Sequence, residues 1–291
     1  MPDSRIPEDP VAELLQVLNL KDSGENSFQG TTQWMPGGRV FGGQVLAQSL
    51  VAASATVDQD RRVHSLHSYF LRPGALDVPI NFEVDILRDG RSFSARRVQA
   101  SQESKVIFSM IASFQIPTDG VEHADKMPTG VSEPETLPSA KDLLGSFDHP
   151  VARYWANARP FDLRHEAESV YLKTATTKSN EQAVWFKPVS ELKIDGPLAQ
   201  AALAYASDYT ILESIMRAHG LSWAHPGLKS ASLDHAMWFH AEPDFSDWML
   251  YVQRSPAAQS GRGLATGQIF NRNGVLVASV AQEGMMRIPA I

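Results

Sequence analysis

One acidic residue interrupts a stripe of apolar residues at helical spacing in the second half of the sequence. Asp208 lies seven positions from Ala201 and from Ile215, a separation at which residues share one face of a helix. The other apolar members of the stripe are Leu198, Tyr205 and Leu212. Burying a carboxylate without partners is unfavourable, so Asp208 must be hydrogen-bonded, protonated or facing a cleft. Spacing alone favours a structural and a catalytic carboxylate equally.

A hydroxyl and an amide later in the chain are further candidates. Ser232 alternates with Asp234, Ala236 and Trp238 on one face of a predicted strand. No Gly-x-Ser-x-Gly sequence surrounds a serine, which weakens a serine-nucleophile mechanism and favours a hydroxyl that holds a water molecule. Gln282 continues an apolar strand face, so its amide either satisfies buried backbone groups or belongs to a site.

Length and composition are those of a globular chain. Its 291 residues, 43% of them hydrophobic and 20% charged, suffice for two ordinary domains or one large one. A net charge of −7 argues against a nucleic-acid groove, and the absence of cysteine excludes disulfides, thiolate metal sites and a cysteine nucleophile. We expect neither a metal nor a cofactor. No signal sequence and no uncharged membrane-length stretch is recognisable, so the expected location is the cytoplasm, without membrane attachment.

The elements that must position these candidates occur in the same order twice. In the first half we predict helices at 11–18 and 44–56, the second opened by Gly42 and Gly43, and then strands at 63–71, 78–87, 93–100 and 106–116. In the second half we predict one long helix at 195–219 with Asp195 as its N-cap, and then strands at 229–240, 248–254, 263–271 and 275–287.

A proline-rich segment separates the two halves. It is predicted to be an exposed connection with one short helix at 139–144. The predicted domains are accordingly 1–118 and 151–291, joined by a linker at 119–150.

Two short similarities between the halves share one offset. Ser65-Leu66-His67 matches Ser232-Leu233-Asp234, and Ala112-Ser113-Phe114-Gln115 matches Ser279-Val280-Ala281-Gln282, in both cases 167 residues later. A common offset is expected of a duplicated domain. The same offset places Phe41 at the position of Asp208, so the first copy is predicted to lack the acid.

Several longer motifs resemble the acyl-CoA thioesterase II family, which includes the bacterial TesB-type and peroxisomal enzymes. In the first half they are Val40-Phe41-Gly42-Gly43-Gln44, the run 64–74 (HSLHSYFLRPG), and 87–98 with Leu-Arg-Asp-Gly and Ser-Phe-Ser-Ala-Arg-Arg-Val. In the second half they are Ala206-Ser207-Asp208, the run 233–240 (LDHAMWFH), and 274–284 with Gly-Val-Leu-Val-Ala-Ser and Gln-Glu-Gly. The resemblance implies an α+β double hotdog fold, in which each half wraps an antiparallel sheet around a central helix.

The resemblance also implies an activity and a set of site residues. It implies hydrolysis of acyl-CoA, of medium to long chain, to free fatty acid and coenzyme A by a homo-oligomer, either a dimer or a tetramer. The family's Asp, Ser or Thr, and Gln triad falls on Asp208, Ser232 and Gln282, and its first-half histidine falls on His64 as a supporting residue. Substrate-binding candidates are Gly42, Gly43, Arg96 and Arg97, with the arginines considered for coenzyme A phosphates and the glycines equally suited to close helix packing.

The expected mechanism uses one activated water. Asp208 would take a proton from a water also held by Ser232 and Gln282, and no acyl-enzyme would form. Two alternatives remain open: a hotdog enoyl-CoA hydratase or dehydratase, which pairs its acid with a histidine at a helix start, and a non-catalytic acyl-CoA-binding module.

Overall fold

The computed structural model describes residues 6–288 as one continuous sheet with helices against it. The helices are α1 Pro10–Leu18, α2 Gly42–Ser54, α3 Ala140–Leu144, α4 Pro150–Asn157, α5 Gly196–Ser207 and α6 Glu213–His219, with a 3-10 turn at Pro134–Thr136. The strands before the proline-rich segment are β1 Lys21–Gly24, β2 Ser27–Gly30, β3 Arg62–Phe70, β4 Ile80–Asp89, β5 Phe93–Gln102 and β6 Lys105–Gln115. Those after it are β7 Phe161–His165, β8 Glu181–Pro188, β9 Lys229–Ser232, β10 Asp234–Phe239, β11 Met249–Gln259, β12 Arg262–Asn271 and β13 Leu276–Arg287.

The strand order is the same in both halves when it is followed outward from the centre. It runs β3-β6-β5-β4-β2-β1 on one side and β10-β13-β12-β11-β8-β7 on the other, and β9 also pairs with β13. Strands β3 and β10 join the halves by antiparallel pairing, with Leu66 opposite Met237. Helix α2 packs against β2 to β6, whereas α6 packs against β8, β11 and β12. Each half therefore has its own sheet segment and its own covering helix.

Helices α2 and α5 lie against each other at the centre of a core that both halves share. A Cβ on Gly43 would lie 2.5 Å from the backbone oxygen of Tyr205, so only glycine permits this approach. The polar side chains of α2 are satisfied inside the core, because Gln44 and Gln48 both donate to the Thr31 carbonyl. None of the helices between residues 6 and 288 is both long and apolar enough to cross a membrane.

The predicted long helix at 195–219 is wrong, because the chain forms two helices there. Helix α5 ends at Ser207, and α6 begins at Glu213. The Ser207 hydroxyl donates to the Ala204 carbonyl oxygen at 2.8 Å, and Asp208 is the C-cap residue. Serine and aspartate compete for backbone bonds in this way and so favour helix ends over helix interiors. Asp195 does occupy the N-cap position, but its side chain makes no capping hydrogen bond.

One further predicted strand needs correction, and several elements were missed. The strand predicted at 229–240 is split at Leu233 into β9 and β10. Strands β7 and β8, helix α4 and the β1–β2 hairpin were not predicted. The short helix at 139–144 is confirmed by α3, whose N-cap Ser139 forms a capping box with Asp142.

Each half carries one β-bulge in the strand next to the junction. The pairs that flank it are Val63–Phe114 and Ser65–Ser113 in the first half, and Ser232–Gly284 and Ala236–Ala281 in the second. When the two bulges are matched, Ser232 on β9 corresponds to Val63 on β3, 169 residues earlier. On the neighbouring strands, Gly284 on β13 corresponds to Phe114 on β6, 170 residues earlier. The halves are therefore related by these offsets in the sheet.

The offset of 167 taken from sequence similarity is wrong in register. In the sheet, Gln282 corresponds to Ala112 and not to Gln115. A shift by an odd number of residues turns a strand side chain to the other face, and Gln282 is fully buried whereas Gln115 is partly exposed. The proposed match of Phe41 with Asp208 loses its support as well, although no acidic residue lies between Met35 and Gly43.

Candidate active site

The structure brings Asp208, Ser232 and Gln282 into direct contact. The Ser232 hydroxyl and the Gln282 amide nitrogen both donate to Asp208 Oδ1, at 3.2 and 2.9 Å. The same amide nitrogen donates to Ser232 Oγ at 2.9 Å. A carboxylate, a hydroxyl and an amide from three separate elements thus meet within hydrogen-bonding distance.

The bulge explains how Ser232 and Gln282 meet. Ser232 is the last residue of β9, immediately before the bulge, and Gln282 lies on the neighbouring strand β13. A bulge re-aims the side chains beside it and ends regular pairing. Asp208 reaches the same point from the turn between α5 and α6, so the helix break and the strand bulge together create the site.

The N-terminus of α2, which comes from the first half, completes the surroundings of the carboxylate. The backbone N–H of Gly43 donates to Asp208. A Cβ on Gly42 would lie 2.7 Å from Asp208 Oδ2, so a larger residue would displace the carboxylate. Gly42 therefore leaves room for the carboxylate, and Gly43 permits the close packing of α2 on α5. A role of these two glycines in substrate binding stays a prediction.

Burial decides the protonation of Asp208. It raises the pKa of this carboxyl to about 6, against the opposing hydrogen bonds from Gln282, Ser232 and Gly43. A carboxylate with a pKa near neutrality can both take up and release a proton at physiological pH, as a general base must.

One further residue belongs to this network and was not predicted. His235 is fully buried, and its Nδ1 contacts Gln282 Oε1. Its Nε2 lies 3.1 Å from the Ser207 hydroxyl. Burial lowers the pKa of His235 to about 4, so the imidazole is neutral at physiological pH. His235 lies in the family-like run 233–240, which could have indicated it. Regular strand alternation, which takes no account of the bulge, instead placed His235 on the face opposite Ser232.

A cavity of about 400 Å³ opens onto Asp208 and Ser232. Its walls are mostly apolar and include Val40, Val45, Phe70, Phe108 and Leu212. Two exposed arginines, Arg39 and Arg72, lie at its edge, and a third, Arg159, is buried in its wall. The Arg159 guanidinium packs over the rings of Tyr209 and Trp155, 4.7 and 5.1 Å from their centroids.

The structure does not bring His64, Arg96 or Arg97 to this cavity. His64 is the bulge residue of β3, and its Nε2 lies 2.8 Å from the Ser113 hydroxyl. Arg96 is buried and forms an ion pair with Asp89 at 2.8 Å.

Arg97 instead pairs with the exposed Asp85 at 2.7 Å. Among residues 6–288, no group of three or more His, Cys, Asp or Glu side chains is arranged to hold a metal ion.

Two fused halves, each with its own sheet segment and covering helix, define a double hotdog protein, and its Asp208 lines a cavity of about 400 Å³. A family model described as acyl-CoA thioesterase matches residues 159–285, and one for the acyl-CoA thioesterase N-terminal domain matches residues 31–115. The chain belongs to the acyl-CoA thioesterase family, which confirms the resemblance inferred from its motifs.

Individual relatives match this chain over nearly its full length. Acyl-CoA thioesterase 2 of Haemophilus influenzae is 38% identical over 94% of this chain and 96% of its own. Human acyl-coenzyme A thioesterase 8 is 37% identical over 94% of this chain and 88% of its own. The crystal structure of the acyl-CoA thioesterase II TesB2 from Mycobacterium marinum superposes with a TM-score of 0.79 at 40% identity, covering 95% of this chain and 99% of that one. A hot dog fold protein of unknown function from Alicyclobacillus acidocaldarius gives a TM-score of 0.78 at 19% identity, covering 96% and 99%, which supports the fold alone.

Proposed function

We propose that this protein hydrolyses acyl-CoA thioesters with a water molecule activated by Asp208. The observation that carries the proposal is a carboxylate of raised pKa, held by Ser232 and Gln282, beside an apolar cavity. Asp208 accepts a proton from water while the water oxygen attacks the thioester carbonyl carbon. The tetrahedral intermediate then collapses, the C–S bond breaks, and coenzyme A leaves as a thiolate. Thiols have a pKa of about 8.5, so this leaving group needs little protonation.

The hydrogen bonds support separate roles for the two carboxylate oxygens. Oδ1 accepts from both Ser232 and Gln282, which fixes the orientation of the group. Oδ2, which lies beside Gly42, takes the proton from the water. The positive end of the α2 dipole lies at the same place and favours negative charge on the reacting carbonyl oxygen.

The cavity also supports a substrate assignment. Its apolar walls suit a medium- to long-chain acyl group, and Arg39 and Arg72 at its edge suit the phosphates of coenzyme A. Arg39→Ala and Arg72→Ala should raise KM for acyl-CoA but not for the acyl thioester of N-acetylcysteamine, which has no phosphates. Equal effects on both substrates would remove the arginines from phosphate binding. A series of acyl-CoA chain lengths measures the acyl preference directly.

The decisive experiment measures free thiol released from acyl-CoA by the native chain and by Asp208→Asn. Rapid release by the native chain and its loss in the variant are expected. Hydration of crotonyl-CoA without free thiol would instead favour the hydratase alternative, and binding of palmitoyl-CoA without turnover would favour the binding module. Among the described residues that line the cavity none is a histidine, which speaks for hydrolysis.

We further propose that the protein is a cytoplasmic homo-oligomer, a dimer or a tetramer, built from domains 1–118 and 151–291. Tyr69, Ile111 and Trp238 leave large apolar surfaces exposed on central strands of the sheet, which suits a contact with a second copy. Light scattering after chromatography tests this, and a monomer would contradict it.

A further inference from the structure

We propose that His235 is a positioning residue, which holds the Gln282 amide in the orientation that presents both of its N–H groups to Asp208 and Ser232. The proposal rests on the hydrolysis proposed above and concerns the same site. His235 is fully buried and does not line the cavity, so it acts through Gln282 and not on the substrate.

The hydrogen-bond inventory of Gln282 leaves one consistent arrangement. A side-chain amide has two N–H donors and one oxygen acceptor. Both donors are used, one toward Asp208 and one toward Ser232, each at 2.9 Å. The oxygen must then accept, and its partner is His235 Nδ1. A flipped amide would put its oxygen against the Asp208 carboxylate and its nitrogen against the imidazole N–H.

The contact with Gln282 fixes the tautomer of His235. A neutral imidazole has one N–H, and the contact with Gln282 Oε1 requires that it lies on Nδ1. Nε2 is then an acceptor and lies 3.1 Å from the Ser207 hydroxyl, whose single O–H is shared between Nε2 and the Ala204 carbonyl oxygen, 2.8 Å away. Ser207 is the last residue of α5, directly before Asp208, so the network closes on the chain segment that carries the carboxylate.

The first half indicates that a polar pair is not needed for packing at this place. His235 and Gln282 each lie one residue beyond the paired Ala236 and Ala281. The matching pair in the first half is Leu66 opposite Ala112, and both side chains are fully buried. A buried imidazole and amide must be desolvated, which a leucine and an alanine avoid. The polar pair therefore carries a requirement of the site.

The test uses His235→Leu, which introduces the residue of the first half, and His235→Asn, whose amide N–H can replace the Nδ1 donor. We expect His235→Leu to lower kcat by about tenfold to a hundredfold, as loss of an orienting partner does elsewhere, with KM little changed. The acidic limb of the pH profile should move upward because the hydrogen bond from Gln282 to Asp208 weakens. His235→Asn should restore most of kcat and return the limb.

A matched control comes from the same sheet. His240 also bonds a serine, with its Nε2 2.9 Å from the Ser279 hydroxyl, but it lies outside the site. His240→Leu should leave kcat and the acidic limb unchanged. Thermal unfolding of all variants separates loss of activity from loss of fold.

Three outcomes would overturn the proposal. They are an unchanged kcat and acidic limb in His235→Leu, a His235→Asn variant as impaired as His235→Leu, and equal effects in the His240→Leu control. Absence of thiol release by the native chain would instead defeat the proposed hydrolysis. The pKa of Asp208, followed by carboxyl carbon NMR, tests the positioning in that case too: it should rise in His235→Leu, and an unchanged value would contradict the role of His235.

Discussion

The two halves form the same bulged strand pair next to the junction and fill it with opposite kinds of side chain. The second half has Ser232, His235 and Gln282 there, and the first half has Val63, Leu66 and Ala112 at the matching positions. All three first-half residues are buried core residues, so the backbone geometry does not require polar groups. The bulge is therefore a structural feature of both halves, and only the second half places polar side chains there.

The buried carboxyl of Asp208 also lowers the stability of the folded chain. A carboxyl whose pKa rises on folding binds its proton more tightly in the folded than in the unfolded chain, so the free energy of unfolding falls as pH rises through the interval between the two pKa values. For Asp208 that interval runs from 3.8 to about 6. A shift of about two units corresponds to a loss of about 3 kcal/mol at neutral pH. The first half has no carboxyl group at its bulge, which comprises residues 63–66 and 112–114.

The largest change is expected from Asp208→Asn. Removing the proton acceptor should lower kcat by about a hundredfold to ten-thousandfold. The same variant should raise the free energy of unfolding by up to about 3 kcal/mol at pH 7.5 but not at pH 4, because the raised carboxyl pKa is gone. Thiol release and chemical denaturation at both pH values measure the two effects. Asp195→Asn, at an exposed helix start, is the matched control and should change neither.

The pH dependence of the native chain follows from the same pKa. A general base works only when deprotonated, so kcat/KM should fall below about pH 6 and level off above it. At pH 5 the expected loss relative to the plateau is about tenfold. A profile that stays flat down to pH 4.5 would remove Asp208 from the role of base.

Replacing Gln282 with alanine installs the first-half residue at the matching position. Loss of both amide donors should lower kcat by about tenfold to a hundredfold and raise the apparent pKa of Asp208, since one of its hydrogen bonds disappears. Gln115→Ala, at the position that sequence similarity alone would choose, should leave both unchanged. If instead Gln115→Ala is the damaging change, the register derived from the bulges is wrong.

Ser232→Val likewise installs the residue of the first half, here Val63. The hydroxyl donates to Asp208 at the longer distance of 3.2 Å, so we expect a smaller effect, about tenfold in kcat. Ser65→Val, after the bulge of the first half, is the control with the same chemical change. Full activity in Ser232→Val would mean that Gln282 alone orients the carboxylate.

Periodicity predicted much of the fold but failed where the backbone departs from it. The strands around β3 to β6 and β11 to β13 alternate regularly, so their existence and order follow from the sequence. The break at Leu233 leaves no trace in the alternation, because a bulge depends on pairing with β13. Strands β7 and β8 lie at the far edge of the sheet in a segment without clear alternation, so they were missed.

The sequence likewise predicted part of the candidate site and missed the rest. Asp208 stands out because a charge occupies an apolar stripe, although that stripe belongs to two helices and not to one. Ser232 and Gln282 emerged as a set only through resemblance to a family, because nothing local distinguishes them from structural strand residues. His235 was not predicted because its position inside the core depends on the bulge. The arginines of the cavity were not predicted because their place at the cavity depends on contacts between distant segments.

The smallest effect is expected at the bulge residue of the first half, His64. Its match across the bulge is Leu233, which lines the cavity, whereas His64 bonds Ser113 and lies outside it. His64→Ala should therefore leave kcat and KM within about twofold and lower the free energy of unfolding by about 1 kcal/mol through loss of one hydrogen bond.

The pH dependence of this stability effect has a defined sign. Burial lowers the pKa of His64, so the stabilising neutral form is complete above pH 6.5 and is lost as pH falls through the lowered value. The stability difference between the native chain and His64→Ala should shrink on acidification, as denaturation at pH 7.5 and pH 5 would measure. A large loss of kcat in this variant, with stability retained, would instead show that the first half contributes more to catalysis than its helix N-terminus.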